Sequence, residues 1–308
     1  TWDQRTAIPA DRARFGAFDG LGELSNARSR TVIETAAATA NATGETQKVG
    51  DLYKAFMDEG RIEALDAKPL APYLASIKAA KTRAQMGTLM GKSSKGFGSA
   101  FFGAYIGQEA KDPNRYAVYL AQGGLGLPDR DYYLTDQFAE KKAKYQAYVA
   151  TQLKAIGWEN PDANAAAIVA METAIAKASW SKIEQRDPVA SYSPMSIADL
   201  TKLAPGFPWA AYLEANGLSK VSTVIVSEKS AFPKIAKIFA DAPIATLQAW
   251  LAFQITDEAS PYLSSRFVNA AFDFKGKTLS GQPENRPRWK RAVGTIDRAL
   301  GEAVGKLY

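Results

Sequence analysis

The stretch LAQGGLGLPDRDYY, residues 120–133, has the most specific local pattern in the chain. Three glycines lie within positions 123–126, where the backbone can adopt a positive φ or pack closely against another element. Pro128 suits the first turn of a helix, and Asp129 and Asp131 bring negative charge to the free N–H groups of that turn. The stretch therefore predicts a tight turn that joins a strand to a helix starting near Pro128.

A glycine-rich loop before a helix is also typical of phosphate-binding sites. In this chain no Gly-Lys-Ser or Gly-Lys-Thr follows the glycines, and a GxGxxG spacing with a downstream acidic residue is absent. The carboxylates of Asp129 and Asp131 would repel a phosphate group at the helix start. The pattern favours a rigid structural turn over a nucleotide site.

The overall composition is that of an ordinary globular protein. The 308 residues are 46% hydrophobic and 23% charged, enough for one large domain or two smaller ones. No apolar run approaches the roughly 18 residues needed to cross a bilayer, so no transmembrane anchor is predicted. The chain starts at Thr1 without a basic and apolar leader, and we expect any targeting segment to have been removed or to lie outside this sequence.

The absence of cysteine and the positive charge restrict the class of protein. Without cysteine a disulfide-bonded animal ectodomain is disfavoured, and a bacterial origin is the better expectation. The net charge is +6, and its densest cluster is Arg286, Arg288, Lys290 and Arg291, for which a solvated helix start is the simplest interpretation. Since no nucleic-acid-binding motif accompanies this cluster, no nucleic-acid partner is predicted.

The chain also contains no histidine. Standard zinc sites draw their nitrogen and sulfur ligands from histidine and cysteine, and Ser-His-Asp and Cys-His nucleophiles need the imidazole, so the 308 residues can build none of these. A pair of carboxylates for acid/base catalysis remains possible. No spacing among the 32 acidic residues singles out such a pair.

Hydrophobic periodicity predicts a mainly helical fold. An extended arm is expected up to Asp19, because Ile8 before Pro9 disfavours a helix there. The first helix is expected from about 21 to a break at 41–44, and further helices over 46–59, 69–80, 82–90, 137–156 and 162–183. Ser196 is expected to cap the start of a short helix. The remaining helices are expected over 231–239, from 243 onward, and from about 288 to the end. Alternation predicts a β-hairpin over 96–122 and a short strand over 221–226. The predicted fold class is mainly α, a multi-helix lobe with a small β-hairpin.

Five short motifs occur in one order over nearly the whole chain. They are Trp2 with Ile8-Pro9, RFGAFD at 14–19, LGLPDRDYY at 125–133, Arg186-Asp187-Pro188 with Tyr192 and Met195, and AVGKLY at 303–308. Together they resemble the N-terminal half of the neprilysin-like zinc metallopeptidases, the family that includes neprilysin, the endothelin-converting enzymes and bacterial oligopeptidase O.

The resemblance implies two mainly helical lobes around a cavity that admits peptides. In the family, the thermolysin-like zinc lobe with its HExxH motif lies mostly in the C-terminal half, beyond the portion that this chain resembles. The implied division is a connecting arm at 1–22, a helical cap domain at 23–290, and a helix at 291–308 leading into the zinc domain. We expect this chain to lack the zinc lobe, to bind no metal and to be inactive alone, with its partner the C-terminal half that holds zinc.

The resemblance also implies substrate-binding residues, although no catalytic residue falls in this chain. Arg14 and Asp19 match an arginine and an aspartate that shape the second primed-side pocket, and Phe18 matches an aromatic residue beside the first. A guanidinium can hold a peptide's terminal carboxylate through two parallel hydrogen bonds, and Asp19 would orient it. Gly22 stands where neprilysin has a further arginine, so charge in this pocket is lower. Without the resemblance, a salt bridge that fixes the arm would be the preferred interpretation of Arg14.

Three functions are compatible with these observations. The first is the N-terminal, substrate-enclosing portion of a zinc metalloendopeptidase that hydrolyses oligopeptides. The alternative is a non-enzymatic helical peptide-binding or scaffold protein of the same fold. An unrelated carboxylate-dependent hydrolase is disfavoured because no acidic pair stands out. The resemblance to bacterial relatives implies a periplasmic or secreted location.

Overall fold

The structure, a computed structural model of the chain, describes residues 7–308. Trp2, one of the motif residues, lies outside the described part. Helices make up 64% of the chain and a small sheet accompanies them, which confirms the mainly helical fold class.

The helices and strands are numbered here in chain order. The helices are α1 Ala17–Ala38, α2 Gly44–Met57, α3 Glu59–Leu65, α4 Ala71–Ala79, α5 Arg83–Lys92, α6 Asp131–Leu134, α7 Ala139–Ala155, α8 Pro161–Ala178, α9 Ile197–Leu203, α10 Trp209–Ala215, α11 Phe232–Asp241, α12 Ile244–Ala259, α13 Ser265–Ala271, a π-helix Phe272–Leu279, and α14 Arg288–Leu307. The strands are β1 Phe102–Glu109, β2 Asp112–Gln122, β3 Ser193–Ser196 and β4 Thr223–Val226.

The chain divides into two compact units. The first contains Thr1–Asp66 and Pro261–Tyr308, and the second contains Ala67–Ser260. The division expected from the family, at 1–22, 23–290 and 291–308, concerns attachment to a further lobe and stays a prediction.

The core of the first unit is formed by α1, α2 and α14. Ile33 of α1, Val49 of α2, and Val293 and Ile296 of α14 are each 0% exposed and belong to one cluster. Because these apolar residues recur at helical spacing, each helix turns one face inward. The long final helix is present as expected, with a local break at Leu300, whose φ is −135°.

The second unit contains a four-stranded sheet in the order β1-β2-β4-β3. The predicted hairpin is confirmed, since β1 and β2 pair antiparallel from Phe102↔Gln122 onward. The predicted strand near 221–226 is also present as β4, which pairs parallel to β2 and antiparallel to β3. The sheet is therefore wider than the hairpin alone, and β3 was not predicted.

The helix after the glycine turn begins at Asp131, so the expected start near Pro128 was wrong. Asp129 Oδ1 accepts the N–H of Asp131 at 2.8 Å, which forms an Asx turn immediately before this later start. The N–H groups of Gly126 and Leu127 instead donate to Tyr133 Oη, at 3.1 and 2.9 Å. The turn is thus closed by a side chain, and the backbone becomes helical only after it.

Helix α8 ends at Ala178, five residues before the expected end at Ile183, whose side chain is 79% exposed. The helix ends here because the side chain of Gln122 in β2 binds both backbone groups of Trp180, two residues after Ala178. Gln122 Oε1 accepts the N–H of Trp180 at 2.8 Å, and Gln122 Nε2 donates to the Trp180 carbonyl at 3.0 Å. A tertiary contact therefore outweighs the helical pattern.

Other boundaries also differ from expectation. Helix α1 begins at Ala17, so Phe18 and Asp19 lie in its first turn and not in an extended arm, although residues 7–16 are non-helical as expected. Helices α3, α10 and α13 and the π-helix were not predicted. Among the described residues no single helix is long and apolar enough to cross a membrane, and the one pair that qualifies jointly, Phe232–Asp241 with Ile244–Tyr262, is bent by 111°.

Candidate functional site

The expected substrate-binding residues lie at and just before the start of α1. Asp19 Oδ2 accepts the N–H of Gly16 at 2.8 Å, which satisfies a donor ahead of the first turn. The negative charge of Asp19 also favours this end of the helix dipole. Phe18, one residue earlier, is 88% exposed. The local sequence therefore starts a helix that fixes Asp19 and leaves the Phe18 ring open to solvent.

The guanidinium next to Asp19 belongs to Arg12 and not to Arg14. Arg12 Nη1 lies 3.1 Å from Asp19 Oδ1, and Arg12 Nη2 bonds to Glu23 on the next turn of α1. The Arg12 side chain is 10% exposed and stands 5.8 Å from the centre of the Phe15 ring. A charged group is held against an aromatic ring here, and it is Arg12, not Arg14, that Asp19 pairs with.

Arg14 has an exposed side chain. Within residues 7–308 it takes part in no hydrogen bond or ion pair, so the salt bridge considered as its structural role is not seen there. The guanidinium fork is thus available to an external anion. Its role in substrate binding stays a prediction.

Lys290 of α14 forms ion pairs with the segment before α1 and with α1 itself. Its Nζ lies 2.9 Å from both Asp11 Oδ2 and Glu23 Oε2, and its side chain is 15% exposed. Burial opposes ionisation of Glu23, but hydrogen bonds from Lys290 and Arg12 outweigh it and lower the pKa of this carboxyl. The expectation of a solvated helix start was therefore wrong for Lys290, because it takes part in a partly buried ionic network.

The glycine turn is held by a buried carboxylate that sequence reasoning missed. Tyr133 Oη, which accepts the two N–H groups of the turn, donates to Glu172 Oε2 of α8 at 2.7 Å. Glu172 is 0% exposed. Gly126 lies against another ring of the same network, since a Cβ there would come 1.8 Å from Tyr145 Oη. The glycine is required for close packing.

Three further donors surround Glu172. Tyr145 Oη donates to its Oε1 at 3.2 Å, Trp250 Nε1 at 2.9 Å and Gln254 Nε2 at 3.4 Å. Burial raises the pKa of Glu172 to about 7, although hydrogen bonds from Tyr133, Tyr145 and Trp250 act in the opposite direction. A fully enclosed carboxylate cannot meet a substrate, so we assign it to holding the turn.

The described residues do not form a metal site. Within residues 7–308 no group of three or more Asp or Glu side chains is placed to hold an ion. Histidine and cysteine, which supply most zinc ligands, are absent from the sequence. Zinc therefore does not fit the donors found here.

Comparison with known proteins gives one consistent result. The family model described as peptidase family M13 matches residues 1–308. Endothelin-converting enzyme 1 of Cavia porcellus is 27% identical over 322 residues, which cover 100% of this chain and 42% of that protein. The zinc metalloprotease Zmp1 of Mycobacterium tuberculosis, solved in complex with an inhibitor, is 32% identical with a TM-score of 0.95 over 100% of this chain and 48% of that one.

PepO of Lactobacillus rhamnosis shares the fold, with a TM-score of 0.83 at 19% identity over 100% of this chain and 49% of that one. The chain spans less than half the length of each of these relatives. The part that it matches carries the helical lobe and not the zinc lobe. The chain thus belongs to peptidase family M13 and corresponds to the N-terminal domain of that family.

Proposed function

We propose that this chain is the substrate-enclosing N-terminal part of a zinc metalloendopeptidase that hydrolyses oligopeptides. The observation that carries the proposal is the match over all 308 residues to peptidase family M13, together with the fold shared with a zinc metalloprotease at 32% identity. In the complete protein, zinc and the groups that activate water would come from the C-terminal half, which is the proposed partner of this chain.

Arg14 and Phe18 are the side chains that we propose to contact the peptide. Arg14 is exposed and unpaired within the described residues, and the Phe18 ring is 88% exposed. An unengaged guanidinium can bind a carboxylate through two parallel hydrogen bonds. Asp19 is bonded to Arg12 and Gly16, so we propose that it contributes by fixing the start of α1 beside these two side chains.

The proposed activity is tested on the complete protein. We expect it to contain bound zinc, to cleave oligopeptides, to lose the activity on chelation and to regain it when zinc is added. The 308-residue chain by itself should cleave none of the same peptides. Peptide binding by the complete protein without any zinc-dependent hydrolysis would contradict the proposal and favour the non-enzymatic binding or scaffold protein.

The role of Arg14 gives a sharper expectation. In the complete enzyme, Arg14→Ala should lower kcat/KM at least about tenfold for peptides with a free carboxylate near the scissile bond, because a charge-assisted, bidentate contact is lost. Amidated versions of the same peptides should change by less than about twofold.

Arg14→Lys is the matched control for geometry, since it keeps the charge and loses the fork. We expect an intermediate loss for this variant and no change in thermal stability for either one, because Arg14 is exposed and makes no hydrogen bond or ion pair within the described residues. Equal losses on free and amidated peptides would remove the carboxylate role.

We also propose that the protein is bacterial and periplasmic or secreted. A bacterial origin is supported by the match at 32% identity to a protein of Mycobacterium tuberculosis, and a location outside the cytoplasm is supported by the extracellular or membrane-anchored relatives in family M13. Fractionation of the source cells tests this, and recovery of the protein in the cytoplasmic fraction alone would contradict it.

A further inference from the structure

A cavity of about 310 Å³ in the first unit is lined by three basic side chains. These are Lys275 of the π-helix, Arg286 of the loop that follows, and Arg291 of α14. Among the described residues that line the cavity, none is acidic. Such a concentration of one sign of charge attracts anions and disfavours cations.

The π-helix and the loop that follows it carry two of the three basic residues, Lys275 and Arg286. The π-helix ends in a loop where Gly281 has a φ of +70°, and the Gln282 N–H turns back to the Gly276 carbonyl at 3.0 Å. Gly276 packs on Phe272 so closely that a Cβ would lie 2.3 Å from the ring. π-Helical turns are rare, and they occur often at functional sites. Here the irregular turn places Lys275 and Arg286 at one cavity.

Arg291 has a donor that the protein leaves unsatisfied. Its Nε donates to the Arg286 carbonyl at 3.2 Å, while its Nη1 is buried and has no hydrogen-bond partner within residues 7–308. Burial, and after it the charge of Arg288, lower the pKa of Arg291. The nearby Glu59 acts in the opposite direction but forms its ion pair with Arg288, at 3.9 Å. The guanidinium is therefore only weakly compensated.

The unsatisfied Nη1 of Arg291 differs from the unsatisfied nitrogen atoms of the other buried arginines. Arg12, Arg83 and Arg130 also have a buried Nε without a partner. In each of them, however, an Nη atom is bonded to a carboxylate or a backbone carbonyl. In Arg291 it is the terminal nitrogen that is left without an acceptor, and this side chain lines a cavity.

We propose that this cavity binds a small oxyanion, the phosphate or carboxylate group of a small molecule. Oxygen acceptors would satisfy Arg291 Nη1 and lie in a cavity lined by positive charge, and arginine suits both groups because its donors form a planar fork. The amides of Gln282 and Asn285 line the same cavity and can add hydrogen bonds, while Val268 and Phe272 offer an apolar wall to a short substituent.

Binding is tested on the complete protein by calorimetry and thermal unfolding at constant ionic strength. Inorganic phosphate and butyrate are the two probes, and chloride at the same ionic strength is the reference. We expect saturable binding at one site and a rise in Tm with at least one probe. The stronger probe shows whether the site takes a free phosphate or an organic carboxylate. If neither phosphate nor butyrate shows saturable binding or raises Tm above the value in chloride, the proposal is overturned.

Variants locate the binding. Lys275→Gln combined with Arg286→Gln changes two exposed side chains and should weaken the anion at least about tenfold. Arg298→Gln removes a charge from an exposed position of α14 outside the cavity lining and should change the affinity by less than about twofold. An equal loss in Arg298→Gln would show only general attraction and would overturn the site.

Arg291→Met separates binding from a purely structural role. The variant keeps most of the apolar stem and removes a weakly compensated charge, so without anion its Tm should equal or exceed that of the wild type. Its anion-dependent rise in Tm should be lost. A lower Tm together with unchanged anion binding would contradict the assignment of Arg291.

Discussion

Glu172→Ala is expected to lower the free energy of unfolding by at least about 4 kcal/mol. The carboxylate is 0% exposed and accepts hydrogen bonds from Tyr133, Tyr145 and Trp250. Each buried donor left without an acceptor costs roughly 1–3 kcal/mol, and the removed side chain leaves a cavity. Urea unfolding of wild type and variant at pH 6 measures the difference.

The matched control is Glu140→Ala. Glu140 lies on α7 with an 80% exposed side chain and pairs with Lys144 one turn later, at 2.7 Å. An exposed pair of this kind contributes little to stability, because water and salt screen the two charges. If Glu172→Ala costs as little as Glu140→Ala, the buried carboxylate does not hold the turn.

Glu172 should also make the free energy of unfolding depend on pH. Burial raises the pKa of Glu172 to about 7 in the folded state, against 4.5 for an ordinary glutamate. Between these values the folded state binds a proton that the unfolded state releases, so this group's contribution to stability falls as pH rises from about 4.5 to about 7. The fall is about 3 kcal/mol, and it should be absent in Glu172→Gln, which does not titrate.

Regular elements could be predicted from the sequence where the pattern is local. Helix α7 follows its apolar stripe and ends before Gly157, which has a φ of +67°, and the β1–β2 hairpin follows its alternation. Strand β3 was missed because its pairing depends on β4, which lies about thirty residues away. Helix α8 was extended too far because Gln122, a residue of another element, determines where it ends.

The candidate site shows the same limit at the level of side chains. Arg12 and Arg14 are two positions apart, and nothing local distinguishes which one meets Asp19. The structure makes the choice because Arg12 also bonds to Glu23, which Lys290 approaches from α14. Glu172 was missed for a related reason. A glutamate in a helix is ordinarily taken to face solvent, and only the donors from three other helices show that it is buried.

Gly126→Ala is expected to destabilise the protein by roughly 3 kcal/mol, because the new methyl group has no space. A Cβ at this position would lie 1.8 Å from Tyr145 Oη and 2.7 Å from Cζ of the same ring. Tyr145 is 1% exposed and cannot swing into solvent without opening the core. Gly103→Ala in β1 is the control, since nothing lies within 4 Å of its Cβ, and it should be neutral or slightly stabilising.

The clash also has a consequence for the buried carboxylate. Because Tyr145 Oη is the atom nearest to the new Cβ and donates to Glu172, Gly126→Ala must strain or break that hydrogen bond. Removing the hydroxyl first, with Tyr145→Phe, takes away the closest contact, so Gly126→Ala should cost at least about 1 kcal/mol less in that background. Urea unfolding of the two single variants and the double variant measures this coupling. Simple additivity would mean that the turn relaxes away from the ring, and that the glycine is needed for the path of the backbone and not for the close approach of Tyr145.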